Sequence, residues 1–157
     1  ALCERAVSMS VHGSLLAEKQ TIQNWAAESA AAIEAYRLFT LRAAWTIDQK
    51  GSSGARTEIA MIKYWGAPIM HDVIDRAIQV HGSLGYCDDM PLEQMYRWAR
   101  AARLYDGPDE VHRVSVARRI LRGYEPHEVP TEHVPTRAAA AEEKYGETLA
   151  ALAGAEL

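Results

Sequence analysis

The feature that most constrains this chain is an apolar stripe of unusual length. Ile22, Trp25, Ser29, Ile33, Tyr36, Thr40, Ala44 and Ile47 recur at steps of three and four. That spacing is the period of one helix face, sustained well beyond an average helix. A helix from about residue 15 to 48 spans roughly 50 Å at 1.5 Å per residue. A helix of that length with one apolar face must bury it against another long element. A second stripe supplies the partner, through Ile59, Ile62, Gly66, Ile69, Val73, Ala77 and Val80. It stays in phase across Pro68, so the sequence predicts a kinked but continuous helix over 55–82 rather than a break. Gly51-Ser52-Ser53-Gly54 reads as the turn between them.

The flanking segments are also helical. Residues 1–10 read as the end of a helix stopped near Gly13, and Ser14 reads as the cap of the first long helix. The opening Ala-Leu-Cys-Glu-Arg-Ala-Val has the character of helix interior, as expected of a piece of something longer. A third helix carries Leu92, Met95, Trp98, Ala99 and Ala102 after a turn at Asp88–Pro91. A fourth runs from about Pro108 to Arg122 with Val111, Val114, Val116, Ala117 and Ile120, and Gly123 closes it. Useful β-alternation is absent. The expected fold is all-α: an up-and-down four-helix bundle of two long and two shorter helices over 1–124, plus a C-terminal tail. In 125–157, Pro126, Pro130 and Pro135 mark a linker, followed by an Ala-rich helix that Thr136 could cap.

Charge and cysteine count narrow the function. Lys plus Arg is 17 and Asp plus Glu is 21, a net charge of −4, which is no footprint for nucleic-acid binding. Two cysteines, Cys3 and Cys87, make no disulfide framework and have no metal spacing, as expected in a reducing compartment such as the cytoplasm. No apolar run reaches the roughly 20 residues of a membrane span.

Four groups could carry chemistry. Asp109 and His112, at i and i+3, are one pair where a di-iron bundle needs two, so no metal site is expected. Cys87 is followed by Asp88 and Asp89, a poor setting for a reactive thiol. Gln79-Val80-His81-Gly82-Ser83-Leu84-Gly85 lets a backbone approach a ligand closely, although a glycine there can simply end a helix. In Tyr105-Asp106-Gly107-Pro108-Asp109-Glu110, Asp106 sits in a helix–helix joint. It is a candidate general base, and spacing alone favours a helix cap.

The last two motifs, in this order, carry a resemblance. With Glu58-Ile-Ala-Met-Ile-Lys63, Pro91-Leu-Glu-Gln-Met-Tyr-Arg97 and Ala117-Arg-Arg119, the chain over about 1–124 resembles the C-terminal domain of acyl-CoA dehydrogenases. The Asp-Gly-Pro-Asp-Glu variant is most similar to a long-chain branch that is fused to other domains in animals. The resemblance implies a flavoprotein that oxidises acyl-CoA to 2-enoyl-CoA, working as an oligomer or with a complementary subunit, with an electron-transfer flavoprotein as acceptor. It places Asp106 at the base, Gly107 at a substrate contact, Gln20, Gln79, Val80, His81, Gly82 and Ser83 against the FAD of an adjacent subunit, and Pro108 and Glu110 beside the flavin and its adenine half. Met9 stands where the family has an Arg, and Ser83 where it has a second Gly. The domains that hold most of the acyl-CoA pocket and the flavin ring lie outside this chain, so weak or no FAD binding is expected of it alone. The other reading is a non-catalytic bundle kept for oligomerisation or partner binding.

Overall fold

The computed structural model describes residues 1–127 and 138–154, and these are almost entirely helical. They divide into two units, Ala1–Gly123 and Tyr124–Leu157. In the first unit, α1 (Leu2–Ser8) leads into strands β1 (Ser10–Val11) and β2 (Ser14–Leu15), which pair antiparallel with Ser10 opposite Leu15. A single 3₁₀ turn, Leu16–Glu18, precedes α2 (Gln20–Gly54). Then come α3 (Arg56–His81), α4 (Ser83–Tyr86), α5 (Leu92–Ala101) and α6 (Asp109–Leu121). In the second unit, α7 covers Ala138–Ala153. The cap expected at Thr136 lies outside the described residues.

The two long and two shorter helices are present, and α3 is continuous through Pro68. Gly51, at φ 70° and ψ 169°, breaks the helical path of α2 where the turn was expected. The start of α2 differs from expectation. The chain reverses at His12 and Gly13, both at positive φ. Ser14 is spent in the hairpin, where its hydroxyl accepts from Lys19 Nζ. The helix therefore begins only at Gln20, with no side-chain cap.

α3 is the spine of the first unit. Arg76 Nη1 donates to Ser29 Oγ at 3.0 Å and Tyr36 Oη donates to the carbonyl of Ile62 at 3.0 Å, so α2 and α3 run antiparallel. Gly66 makes this approach possible, because a Cβ there would overlap the Tyr36 ring. On another side, Leu92 joins Ala77 and Val80 in the core, and the Tyr96 ring meets that of His71 at 4.3 Å, tilted by 41°. Arg119 Nη1 donates to the carbonyl of Arg56 at 2.9 Å. Thus α5 and then α6 follow α3 downward, one after the other.

This central position shows in the burial pattern. Ala60, Ala67, Ile74 and His81 are buried at seven-residue spacing, beside the expected stripe through Gly66, Ala77 and Val80. α3 is covered on more than one face. In α2, Ser29, half-buried Tyr36 and Ala43 also step by seven, and Thr46 is buried while Ala44 and Ile47 are exposed. A repeat of 3.5 keeps a straight seam facing its partner, whereas longer steps drift around the helix. The expected face is therefore one residue out of register in the second half of α2. The expected faces of α5 and α6 are divided: Leu92, Ala99, Ala102 and Val116 are buried, whereas Met95, Trp98, Val111, Val114 and Ile120 are exposed.

Candidate functional site

The joint between α5 and α6 is built around one buried carboxylate. Asp109, the first residue of α6, is 1% exposed. Arg103 Nε donates to its Oδ2 at 2.8 Å, and this hydrogen bond, before the charge attraction, raises the Arg103 pKa above its ordinary value. Its Oδ1 has the Lys63 ammonium at 3.7 Å, an ion-pair distance without a hydrogen bond. The same Lys63 Nζ donates to the carbonyl of Gly107 at 2.7 Å. His112 Nε2 lies 3.0 Å from the carbonyl of Asp106. A carbonyl only accepts, so this nitrogen carries the proton.

Two side chains thus hold two successive carbonyls, those of Asp106 and Gly107, and Asp106 itself is strained. Asp106 has φ 54°, one of two non-glycine residues at positive φ among those described. This region costs an L-residue free energy and persists where surrounding contacts impose it. Its side chain is exposed, and no hydrogen bond or ion pair engages its carboxylate among the described residues. It is not the cap of α6, because Pro108 occupies that position and no side chain caps the helix. The capping reading of Asp106 is overturned: with φ positive at both Asp106 and Gly107, the chain turns before the helix begins. Gly107, at φ 96°, faces His112, whose Nε2 would lie 3.1 Å from an added Cβ. Pro108 and Glu110 are exposed at the start of α6. Asp109 and His112, the pair weighed as metal ligands, are engaged with different partners.

The second group lies elsewhere. Gln79 is exposed in the last turn of α3, whereas Val80 and His81 are buried. His81 Nδ1 donates to the carbonyl of Ala77 at 2.7 Å, so this ring is part of the core. Gly82 ends the helix at φ 64°, exposed, and an added Cβ there would meet no atom within 4 Å. Ser83 is exposed beside it. Gln20 opens α2 at the same end of the antiparallel pair. Lys63, which anchors the Asp106 loop, is sixteen residues from Gln79 along α3, about 24 Å at the helical rise. The structure therefore gathers the predicted residues into two clusters at different heights on one helix. Lys63, Arg103 and His112 were not among them. Their signal was faint: Lys63 and His112 belong to recognisable motifs, and only the fold reveals the buried Asp109 that recruits Lys63 and Arg103.

Comparison with known proteins decides the family. The family described as "Acyl-CoA dehydrogenase, C-terminal domain" matches residues 2–121. This chain belongs to the acyl-CoA dehydrogenase family. "Probable acyl-CoA dehydrogenase FadE2" of Mycobacterium tuberculosis is 48% identical over 126 residues, covering 75% of this chain and 31% of that protein. "Acyl-CoA dehydrogenase family member 11" of Rattus norvegicus is 47% identical over 121 residues, covering 77% and 16%. The structure of butyryl-CoA dehydrogenase from Megasphaera elsdenii superposes with a TM-score of 0.71 at 26% identity, over 77% of this chain and 31% of that one. The chain thus spans less than a third of the length of these acyl-CoA dehydrogenases, and the matching part is their C-terminal helical domain.

Acyl-CoA dehydrogenases are FAD-dependent. The α3 end suits part of such a cofactor. Gly82 leaves an open backbone face, and Gln79 offers an amide with both donor and acceptor. Gln20, Gln79, Val80, Gly82 and Ser83 are all uncharged. The side chains of Gln20, Gln79 and Ser83 and the open backbone at Gly82 suit the neutral hydrogen-bonding edges of FAD, and the set brings no cation to its diphosphate. Among the described residues no helix is long and apolar enough to cross a membrane, and Cys3 and Cys87 are both free.

Proposed function

We propose that this chain is the helical domain of an enzyme that oxidises acyl-CoA thioesters to 2-enoyl-CoA, with Asp106 as the base. The observation that carries this reading is the state of Asp106: an exposed, unengaged carboxylate on a strained backbone, with its own carbonyl held by His112 and that of the following Gly107 held by Lys63. Holding a reactive group in one geometry lowers the entropic part of the barrier. Asp106 accepts the α-proton of the thioester at a carboxylate oxygen. Gly107 beside it is the substrate contact, at a positive φ and with His112 Nε2 3.1 Å from where a Cβ would lie, a position suited to glycine. Gln20, Gln79, Gly82 and Ser83, with the backbone of Val80 and His81, whose side chains are buried, contact the FAD of an adjacent subunit, and Pro108 and Glu110 flank the flavin and its adenine half. FAD, when bound, supplies the acceptor for the β-hydride. Residues 1–124 are the dehydrogenase-type domain and 125–157 its extension.

The proposed partners are the acyl-CoA substrate, sister or complementary dehydrogenase subunits, and an electron-transfer flavoprotein as acceptor, in the cytoplasm. Support for subunit docking is an apolar groove between α2 and α3 lined by Ile33, Leu41, Ile69, Met70 and Val73, with Met95 at its edge. Trp45 is 61% and Trp98 64% exposed. Apolar surface of this kind marks docking sites. The same face, with the uncharged FAD set, is what a non-catalytic bundle kept for assembly would also present.

One substitution separates the readings. Asn tolerates positive φ about as well as Asp and cannot take a proton. In the complete flavin-loaded assembly, Asp106→Asn is expected to keep its melting temperature and flavin content yet fail to bleach the flavin on mixing with acyl-CoA. Flavin bleaching at the parent rate places the base elsewhere.

A further inference from the structure

Asp109 is a buried charge that the proposed chemistry does not use. It is 1% exposed, and two cations reach it, Arg103 from just beyond α5 and Lys63 from α3. The link to Arg103 is double. Beside the Arg103 Nε bond to Oδ2, the Asp109 N–H donates to the Arg103 carbonyl at 3.4 Å. Residues 103 and 109 therefore close a loop of five residues, 104–108, with Asp106 at its centre. On the α5 side, the N–H groups of Leu104 and Tyr105 both donate to the Ala101 carbonyl, at 2.8 and 3.2 Å.

Neither helix electrostatics nor stability accounts for this burial. An acid in the first turn of α6 favours the helix dipole, but exposed Glu110 meets that need without leaving solvent. A buried ion pair is weak evidence of stabilisation, because apolar groups of similar volume often serve as well. The ammonium is also poorly placed for a purely neutralising partner. Lys63 Nζ stands 3.7 Å from Oδ1, which has no hydrogen bond, and makes its short contact, 2.7 Å, with the Gly107 carbonyl. The carboxylate thus draws the ammonium by charge while the ammonium's hydrogen bond goes to the loop. Asp109 also fixes the start of α6, and from the next turn of that helix His112 holds the Asp106 carbonyl. Both grips on the loop trace back to one carboxylate.

We propose, resting on the reading of Asp106 as the base, that Asp109 is its positioning residue: through Arg103, Lys63 and the start of α6 it sets where the Asp106 carboxylate stands. Buried as it is, Asp109 acts only through Asp106. A base displaced on the order of 1 Å loses about a hundredfold in rate. That loss falls on proton removal rather than on the binding of acyl-CoA or flavin.

The test is anaerobic mixing of acyl-CoA with the complete flavin-loaded assembly, following flavin bleaching in the parent, Asp109→Asn, Arg103→Gln and Asp106→Asn. Asn has nearly the shape of Asp and carries no charge. Asp109→Asn should keep the full bleaching amplitude and nearly the parent half-saturating acyl-CoA concentration, with a limiting rate about tenfold or more lower. A role in stability alone gives the reverse, a smaller amplitude at the parent rate, because fewer sites are folded. Arg103→Gln, at the partly exposed partner, should slow bleaching in the same way, and it decides the outcome where Asp109→Asn does not fold. Hydrogen exchange of the full chain is a second readout. In these two variants the Tyr105 and His112 amides, bonded to the Ala101 and Pro108 carbonyls, should speed up by a larger factor than Ala67 and Ile74 in the middle of α3. Asp109→Asn and Arg103→Gln bleaching at the parent rate while Asp106→Asn stays silent, a loss of amplitude alone, or equal acceleration at all four amides overturns the proposal and leaves Asp106 as the base. Parent-rate bleaching by Asp106→Asn overturns both the base and its positioning.

Discussion

Lys63 Nζ lies 2.7 Å from the carbonyl oxygen of Gly107, the residue after the proposed base. The same ammonium faces the buried Asp109. One side chain of the central helix therefore fixes both the loop and the start of α6. Lys63→Met removes a charged hydrogen bond and leaves Asp109 with Arg103 alone. The expected cost is about 2 kcal/mol, read as a lower urea midpoint. Faster amide exchange should be concentrated at residues 105–109. A midpoint equal to the parent's would show that Lys63 holds nothing.

Gly66 is a second point of tight fit. In an ordinary helix interior, Gly→Ala stabilises by up to about 1 kcal/mol. Here the added methyl meets the Tyr36 ring, and overpacking costs about 1–3 kcal/mol. Gly66→Ala should therefore lower stability. In a Tyr36→Ala background the same change should become neutral or stabilising. A double-mutant cycle of denaturation midpoints measures that reversal of sign.

The strain at Asp106 has its own signature in the isolated chain. Gly is free to adopt φ 54°, and Ala there costs about 1–2 kcal/mol more. Chemical denaturation should rank Asp106→Gly above Asp106→Ala by about that amount. Equal midpoints would show that the loop relaxes and that no strain is held.

The apolar face of α2 should mediate association. Light scattering of the chain is expected to give a dimer or larger species. Leu41→Glu/Trp45→Glu, at two exposed apolar positions of α2, should lower the mass toward the monomer with helicity retained. A parent chain that is already monomeric at micromolar concentration contradicts the prediction.

Cofactor retention can be read directly. The uncharged set at the α3 end must immobilise FAD with few contacts, and such half-sites bind weakly. FAD added to the isolated chain should separate from it on gel filtration. Stoichiometric co-elution would require a diphosphate partner that the uncharged set lacks.

Much of this was legible in the sequence. The α3 stripe could be read because Gly66, Ala77 and Val80 all face packed neighbours. The register of α2 slipped because Ala43 and Ala44 look alike, and only the partner helix selects the 3.5-residue repeat. Ser14 has the chemistry of a cap, but the hairpin at His12 and Gly13 claims it first. Asp106 likewise has capping chemistry, and its positive φ, which no residue type announces, takes it out of position. Asp109 stood out in the sequence only as half of a pair with His112. Its burial depends on Lys63 and Arg103, which lie 46 and 6 residues away in the chain, and pairing at that distance leaves no local pattern.

Every other helix of the first unit packs on α3. The outer helices can open singly, but α3 cannot expose its amides without releasing α1, α2, α5 and α6 together. Hydrogen exchange in the middle of α3 therefore reports the cooperative opening of the entire unit. A ligand at the Asp106 loop and one beyond Gln79 both stabilise that same opening-resistant core. Each should slow exchange at Ala67 and Ile74, far from where either binds.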